Sequence, residues 1–405
     1  MARVPEVSSR GKAMPASPIR KLHSLCVAAQ NEGVHVFHLN IGQPDIESPV
    51  ELLRGYREFS DSVLPYGPSA GLPAYLKKLI IYYERWGIPL SERDILVTTG
   101  GSEAIILTLM AVADPGDEII IPEPFYTNYN GFAMMAGLTV KPLTTRLEDN
   151  FALPPLDQLE ALVGPRTRAI VLCSPGNPTG AVFTREELDG VADIARRRGV
   201  FVIADEVYRE FVYDGKKHVS ILDLPGMDEH AVMVDSISKR YSACGARIGC
   251  IVSRNSGFMN SILRFGQARL CPPTVDQIAA AAAVDTPPEY FERVIEEYDC
   301  RRRLLHQRLL GMGVDCKLPG GAFYMVARLP VADADHFAAW LLTDHRHEGT
   351  TVMIAPANGF YATPGLGQSE ARLAYVLNCG DIDRAMDSLA AGLEAYGSTM
   401  GAHGR

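Results

Sequence analysis

The sequence has little that would suit it to nucleic acid, a membrane or an oxidising compartment. Lys and Arg total 39 against 48 Asp and Glu, a formal net charge of −9, whereas nucleic-acid binders usually carry a basic excess. No apolar run reaches the roughly 18 residues of a membrane span, and the basic N-terminus lacks the apolar stretch of a secretory leader. We therefore expect a cytoplasmic protein that binds neither nucleic acid nor membranes.

Motifs for metals and dinucleotides are also missing. The eight cysteines include no Cys-x-x-Cys pair, which fits buried thiols in a reducing compartment better than disulfides or a zinc site. His345 and His347 have no identifiable third ligand, so we expect a solvated polar segment and no metal. No Gly-x-Gly-x-x-Gly run opens a helix after a strand, which argues against a dinucleotide site. The Arg triplets 196–198 and 301–303 lie in helix-like segments and are expected on solvated helix faces.

Between residues 94 and 252, short apolar runs alternate with amphipathic stretches. Uninterrupted runs rich in Ile and Val are typical of central strands that are buried on both faces. Their alternation with helices predicts a mostly parallel sheet sandwiched by helices. The predicted strands are Ile95–Thr98, Glu118–Ile121, Ala169–Cys173, Phe201–Ala204, Ala231–Val234 and Ile248–Val252.

The pattern of the chain changes after Pro287-Pro288. A helical stretch over about 290–310 leads into a compact α+β-like tail, while the first 50 residues lack strong periodicity. We therefore predict an α/β protein with a large domain over residues 51–288 and a smaller α+β domain over residues 289–405. The N-terminal segment, residues 1–50, is expected to pack with the smaller domain.

Polar segments follow several predicted strands, at the sheet edge where ligands of α/β proteins gather. Lys239 stands in Ser-Ile-Ser-Lys after Ala231–Val234, with Arg247 downstream, so hydroxyls, an amine and a guanidinium could hold a phosphate beside a reactive amine. Asp205 follows the neighbouring strand, where a carboxylate is either a helix cap or the partner of a protonated ring nitrogen. Asn177, in a Pro- and Gly-rich turn, can donate to an anionic oxygen. A Gly-Gly-Ser turn at 100–102 opens a helix whose N–H groups can approach a phosphate.

The chain resembles a known family through the order of its motifs. Seven motifs carry the resemblance: IGQPD (41–45), YGPSAGLPAYL (66–76), DPGDEIIIPEPFY (114–126), SPGNPTG (174–180), ADEVY (204–208), SISK (236–239) and EARLAYV (370–376). Their order is that of the class I/II pyridoxal-phosphate-dependent aminotransferases, the aspartate aminotransferase superfamily of fold type I. The resemblance covers nearly the whole chain.

That resemblance implies pyridoxal 5′-phosphate as the cofactor and assigns the catalytic residues. Lys239 would form the aldimine with the cofactor and move the proton between the substrate and the cofactor. Asp205 would pair with the pyridinium nitrogen, Tyr208 and Asn177 would hydrogen-bond the 3′ oxygen, and Tyr126 would stack on the ring.

The resemblance also implies the residues that hold the phosphate and the substrate carboxylate. The phosphate would be held by backbone N–H groups of Gly101 and Ser102, by the Ser236 and Ser238 hydroxyls and by Arg247. Tyr66 would reach the phosphate of the neighbouring subunit, so a homodimer is expected. Arg372 would clamp the α-carboxylate, near Asn177 and the backbone of Gly42.

The resemblance implies a ping-pong aminotransferase for aspartate or a broad range of amino acids, with a 2-oxo acid such as 2-oxoglutarate. Some bacterial aspartate enzymes of the family place a lysine after the Gly-Gly pair, where this chain has Ser102. Another cation, from the N-terminal segment or from the partner subunit, could meet a distal carboxylate instead, and the candidates include Arg20, Lys21 and Arg269.

Other activities remain open at this point. Phe323-Tyr324 and Gly359-Phe360-Tyr361 could line an aromatic-tolerant pocket, so an aromatic, alanine or prephenate aminotransferase is the nearest alternative, and a lyase on the same fold is another. Ser236-Ile-Ser-Lys239 matches the Ser-x-x-Lys pattern of serine acyl enzymes, but their Lys-Thr-Gly element is absent. A non-enzymatic regulator would need a DNA-binding segment that the chain has no spare length to supply.

Overall fold

A computed structural model describes residues 4–15 and 17–403 of the protein, which form three β-sheets. The strands are β1 (His35–His38), β2 (Ile95–Thr98), β3 (Glu118–Glu123), β4 (Thr139–Thr144), β5 (Thr167–Cys173), β6 (Phe201–Asp205), β7 (Ala231–Ser236), β8 (Gly249–Val252), β9 (Asp315–Cys316), β10 (Tyr324–Arg328), β11 (Thr350–Met353), β12 (Ala355–Pro356) and β13 (Glu370–Ala374).

Helices of widely different length surround these sheets. They are α1 (Ser9–Ala13), α2 (His23–Asn31), α3 (Val50–Arg57), α4 (Pro73–Glu84), α5 (Gly100–Val112), α6 (Asn128–Ala136), α7 (Leu156–Leu162), α8 (Arg185–Arg198), α9 (Ile237–Arg240), α10 (Ser256–Arg269), α11 (Thr274–Ala283), α12 (Pro288–Gly311), α13 (Ala334–Thr343) and α14 (Cys379–His403). None of the described helices is long and apolar enough to cross a membrane.

The largest sheet has seven strands in the order β2-β8-β7-β6-β5-β3-β4, and only β8 runs antiparallel to its neighbours. The mostly parallel α/β sheet predicted from the sequence is thus confirmed, and each predicted strand differs from the observed one by at most two residues at either end. The sequence analysis missed β4. This edge strand is mostly half-buried and contains Lys141 and Pro142, so it lacks the apolar run of a central strand.

The central strands are buried because they supply side chains to a hydrophobic cluster on each face. In β6, Val202 and Ala204 join one cluster and Ile203 joins the other, as the two-residue period of a strand requires. The helix α8 covers the first of these faces and has clear signals at both ends. Thr184 and Glu187 form a reciprocal capping box at its start, and Gly199 ends it with φ +66°.

The two ends of the chain pack together. β1 pairs in parallel with β11, and one hydrophobic cluster joins Phe37 of β1 to Tyr298, Phe337 and Leu373. A separate four-stranded antiparallel sheet, in the order β12-β13-β10-β9, lies in this part of the chain. The N-terminal segment thus contacts the tail, while the division into domains, with limits at residues 50/51 and 288/289, stays a prediction.

Two charged segments expected in solvent are in fact partly buried. Arg301 and Arg302 of α12 are buried, and their guanidinium groups donate to Val376 O at 2.9 Å and Pro319 O at 2.6 Å respectively. His345 is also buried, with its Nε2 at 2.9 Å from Ser388 O. The expectation of a solvated face was therefore wrong for Arg301 and Arg302, because α12 is covered on that side by other parts of the chain, and it was right for Arg303, which is exposed.

Gly249, the first residue of β8, has no room for a side chain. A substitution there therefore tests the packing of β8 against α5. A Cβ on Gly249 would lie 2.6 Å from the carbonyl carbon of Gly100, 2.8 Å from Gly101 N and 2.7 Å from Asp235 O. These are backbone atoms that cannot move independently, so we expect Gly249→Ala to lower the free energy of unfolding by about 1–3 kcal/mol. Urea denaturation checks this, with Gly311→Ala as the control, because among the described residues no atom outside its chain neighbours and its own helix backbone lies within 4 Å of its Cβ position. Equal stabilities of the two variants would contradict the prediction.

Candidate active site

A cleft of about 730 Å³ opens at the carboxyl ends of β5, β6 and β7. Every site residue predicted from the sequence lines this cleft except Tyr66, whose side chain is 82% exposed in the single chain. The predicted residues that the fold brings together are Gly42, Gly101, Ser102, Tyr126, Asn177, Asp205, Tyr208, Ser236, Ser238, Lys239, Arg247 and Arg372.

Lys239 lies on the one-turn helix α9, directly after β7. Ser236 caps this helix, since its Oγ accepts a hydrogen bond from Ser238 N at 3.2 Å. The Lys239 Nζ donates to the backbone carbonyl of Gly42 at 2.9 Å, and Gly42 belongs to the N-terminal segment. Gly42 can approach so closely because it has no side chain: a Cβ there would lie 1.8 Å from the Tyr324 hydroxyl.

Asp205 is a buried carboxylate at the last position of β6. Tyr129 donates its hydroxyl to Oδ2 at 2.7 Å, and Val207 N approaches Oδ1 at 3.4 Å. Burial raises the pKa of Asp205 to about 6, and the hydrogen bond from Tyr129 opposes that rise. Within residues 4–15 and 17–403 no cation pairs with this carboxylate, so a positively charged group placed beside it would be favoured.

Tyr129, the hydrogen-bond partner of Asp205, is a residue that the sequence analysis missed. It lies on α6, 76 positions before Asp205 in the chain, and its only sequence signal is its place close behind Tyr126. A hydrogen bond across that separation depends on how α6 packs on the sheet, which no local pattern reveals.

Aromatic hydroxyls form one wall of the cleft. Tyr208 and Tyr324 are hydrogen-bonded through their hydroxyls at 2.8 Å, and burial raises the pKa of Tyr208 well above its usual value. Tyr208 lies in a turn after β6. Tyr126 is half-buried and accepts a hydrogen bond from Asn128 Nδ2 at 2.7 Å, and burial raises its pKa to about 12.

Arg372 of β13 is a buried cation. Its Nη1 donates to Asn177 Oδ1 at 2.9 Å, its Nη2 donates to the carbonyl of Asn40, and its Nε has no partner among the described residues. Burial lowers the pKa of Arg372, and none of the described carboxylates pairs with it. The aromatic rings of Tyr324 and Phe360 lie 4.5 Å and 5.1 Å from its guanidinium carbon. Such a group can bind a carboxylate from a ligand.

Another part of the cleft is suited to an anion. The first turn of α5 lies against β7, since a Cβ on Gly101 would be 3.6 Å from the Ser236 Cβ. The Arg247 guanidinium lies beside Gly100, is exposed, and donates to Cys244 O at 3.0 Å. A helix N-terminus, a hydroxyl and a cation together favour a phosphate.

These features fit pyridoxal phosphate on chemical grounds. The anion-binding end suits a phosphate, Lys239 supplies a primary amine, and Asp205 is a buried carboxylate without a cation, as a protonated ring nitrogen would require. Across the described part of the chain, no group of three or more His, Cys, Asp or Glu side chains could hold a metal ion.

The three candidate cations for a distal carboxylate lie in different surroundings. Arg20 lines the cleft, and the structure gives its guanidinium no partner among the described residues. Lys21 forms an ion pair with Asp335. Arg269 does not line the cleft, and donates instead to Val97 O at 3.0 Å.

Comparison with known proteins identifies the family. The family model for "Aminotransferase class I and II" matches residues 34–389. An aspartate aminotransferase of Pyrococcus abyssi is 30% identical over 391 residues, 95% of this chain and 97% of the relative. The aromatic-amino-acid aminotransferase 2 of Thermococcus litoralis is 29% identical with the same coverage. The solved Thermus thermophilus aspartate aminotransferase with maleate has a TM-score of 0.88 and 27% identity, covering 96% of this chain and 100% of that one. The chain therefore belongs to the class I and II aminotransferases, enzymes that depend on pyridoxal 5′-phosphate.

Proposed function

We propose that this aminotransferase exchanges an amino group between aspartate, or a broad range of L-amino acids, and a 2-oxo acid such as 2-oxoglutarate. The observation that carries the proposal is a pair of arginines in one cleft, Arg372 and Arg20, neither of which pairs with a carboxylate in the described structure. Dicarboxylates such as aspartate, glutamate and 2-oxoglutarate present two anionic groups. Both half-reactions of a ping-pong cycle would use the same two arginines.

Arg372 is the group we assign to the α-carboxylate, which every amino acid and 2-oxo acid shares. A buried charge without a counterion is costly, and an anionic substrate would offset that cost. Asn177 and the Asn40 carbonyl already hold the guanidinium in place, so the side chain loses little conformational entropy when a substrate binds.

Arg20 is the group we assign to the second carboxylate. Its segment lies at the cleft, because Asn40 Nδ2 donates to Ile19 O at 3.2 Å and Pro18 packs close to Gly359. Ser102 carries no charge, and Lys21 is already paired with Asp335. The maleate in the Thermus thermophilus structure is itself a dicarboxylate, which supports this assignment by analogy.

The remaining cleft residues are proposed to serve the cofactor. Pyridoxal phosphate, when bound, supplies a conjugated ring that accepts electron density from the bond broken at the substrate Cα. Lys239 Nζ would then carry the proton at that carbon, and Asp205 would keep the ring nitrogen protonated. Tyr208 and Asn177 would donate to the ring oxygen, and Tyr126 would lie against the ring.

The cofactor phosphate is proposed to bind at the first turn of α5. The groups that would hold it are the backbone N–H groups of Gly101 and Ser102, the hydroxyls of Ser236 and Ser238, and the Arg247 guanidinium. Each of them lines the same cleft.

A homodimer is proposed as the working unit. Val63, Leu64 and Tyr66 are 69%, 59% and 82% exposed in the single chain, an unusual concentration of apolar side chains over four residues. We propose that a second copy covers this stretch and that Tyr66 reaches the neighbouring subunit's phosphate site.

A preference for aromatic amino acids is the second candidate. Tyr126 and Tyr324 both line the cleft, and the Thermococcus litoralis relative is named for aromatic amino acids. The side chain of an aromatic substrate would need ring contacts where the second carboxylate of a dicarboxylate needs a cation. A substitution at Arg20 therefore distinguishes a preference for aromatic substrates from a preference for dicarboxylates.

Removal of the amine tests the proposed reaction. We expect Lys239→Ala to lower turnover at least roughly 10³-fold, because the group that carries the proton is lost. Dialysed protein should also lose the visible absorbance of its cofactor. Lys317→Ala, at an exposed position, serves as the control and should behave as wild type. A Lys239 variant with normal turnover would refute the assignment.

Removal of the second arginine tests the proposed substrate. With Arg20→Ala, we expect the KM for glutamate, aspartate and 2-oxoglutarate to rise about 10- to 100-fold, as for the loss of a charged hydrogen bond. The KM for alanine and phenylalanine should stay within about twofold. Lys21→Ala is the matched control, since its ammonium is paired outside the cleft. An equal rise in KM for all five substrates would count against the role of Arg20. Unchanged KM values for the three dicarboxylates would favour the aromatic alternative.

The raised pKa of Asp205 predicts how stability depends on pH. Its folded-state pKa of about 6 exceeds the ordinary value of an aspartate, so ionisation destabilises the cofactor-free protein as the pH rises through 6. At pH 8, cofactor-free Asp205→Asn should therefore unfold with a free energy up to about 3 kcal/mol above wild type, while the cofactor-loaded variant loses turnover. Urea denaturation from pH 5 to 8 checks this prediction. The prediction would be contradicted if the difference in free energy of unfolding between Asp205→Asn and wild type grew as the pH fell toward 5.

A further inference from the structure

A cluster of buried charges lies beneath the cleft, and the proposed function gives it no role. We call it the charge cluster, and it consists of Glu206, Arg209, Glu210, Asp235 and Arg240. Each side chain is at most 6% exposed, and none of them lines the cleft.

The charge cluster touches the site through the chain itself. Glu206 directly follows Asp205, and Arg240 directly follows Lys239. Asp235 precedes Ser236, and its Oδ1 accepts a hydrogen bond from Ser236 N at 2.7 Å. Movement within the cluster would therefore move residues that face the cleft.

Arg240 links the two chain segments that meet in this cluster. Its Nη2 donates to Asp235 Oδ2 and its Nε donates to Glu210 Oε1, both at 2.6 Å. Glu210 belongs to the segment that carries Asp205, whereas Asp235 and Arg240 flank the segment of Lys239. The guanidinium also lies 4.0 Å from the centre of the Tyr82 ring.

Neighbouring tyrosines hold both carboxylates in place. Tyr83 donates its hydroxyl to Asp235 Oδ2 at 2.7 Å, and the Tyr82 hydroxyl donates to Glu210. Both tyrosines are buried on α4. Arg240 therefore meets two acceptors whose positions are set by a helix outside the site.

Stability alone is a weak reason for such a cluster. Burying an ion pair costs desolvation energy. A protein with well-packed apolar side chains in the same place is often just as stable. A one-turn helix such as α9 is also too short to fix its own orientation, because it contains little more than a helix nucleus. A planar guanidinium that bridges two fixed carboxylates supplies that orientation.

We propose that Arg240 is a positioning residue, which sets the location of the Lys239 amine relative to Asp205 by bridging Asp235 and Glu210. This inference rests on the roles proposed for Lys239 and Asp205. The electrostatics agree with it: after burial, the charges of Asp235 and Glu206 also raise the pKa of Asp205, so the cluster and the site are coupled.

Two variants of Arg240 and one matched control test the proposal. Arg240→Met removes the charge and both hydrogen bonds, and Arg240→Lys keeps the buried charge but cannot form the planar bridge. Arg302→Met is the control, since Arg302 is equally buried, donates to Asp214 at 2.8 Å, and lies outside the cleft. Four quantities are measured: kcat and KM for an amino donor, the Kd of pyridoxal phosphate for cofactor-free enzyme, the pH midpoint of the bound cofactor's visible absorbance, and the urea midpoint.

The proposal predicts a loss that is confined to the site. Arg240→Met should lower kcat about 100-fold, as for a catalytic group misplaced by about 1 Å, with the KM changed less than about threefold. The cofactor Kd should rise, and the absorbance midpoint should move to higher pH because a positive charge is lost. Arg240→Lys should fold and recover part of the kcat. Arg302→Met should change only the urea midpoint.

Two results would overturn the proposal. One is an Arg240→Lys enzyme with the wild-type kcat, cofactor Kd and absorbance midpoint, an outcome that remains decisive if Arg240→Met does not fold. The other is an Arg302→Met enzyme with the same losses as the Arg240 variants, which would make the effect one of general stability. A wild-type enzyme that transfers no amino group would instead refute the proposed function, so the two failures are distinguishable.

Discussion

The parallel register of β6 and β7 is the constraint on which the site depends. It pairs Asp205 with Val234, so the segment that leaves β7 reaches the same edge of the sheet two residues later. Lys239 and Asp205 therefore line the same cleft although 33 intervening residues separate them. β5 runs parallel to β6 and brings Asn177 to the same edge. A site built on strand ends inherits the rigidity of a sheet that is buried on both faces.

The cleft contains buried charges that have no partner of opposite charge among the described residues. Asp205 and Arg372 are both buried, yet neither has a partner of opposite charge among the residues that the structure describes. In the charge cluster, by contrast, each carboxylate has a guanidinium partner: Arg209 pairs with Glu206, and Arg240 pairs with Asp235 and Glu210. The buried charges of the framework are thus paired with opposite charges, whereas those of the cleft are not. That contrast distinguishes a binding site from a structural network of the same composition.

Sequence reasoning succeeded where a short local pattern carried the signal. Apolar runs located the central strands, and the motif order pointed to the family that the comparisons then showed. It failed where the signal was not local. β4 is a half-buried edge strand without an apolar run, and Arg302 reads as a surface charge until α12 is seen packed against the chain. Tyr129 was missed because its partner lies 76 residues away.

The sequence by itself determined the fold class, the family and the chemical identity of the groups that line the cleft, because periodicity and motif order are local properties of the chain. Only the tertiary structure decided which of these groups are buried and which are already paired. It separated Arg20 from Lys21 and Arg269, and it showed Arg240 bridging the segments of Asp205 and Lys239. The physical reason is that burial and ion pairing depend on neighbours contributed by distant segments. The energy of a charge is set by those neighbours and not by its place in the sequence.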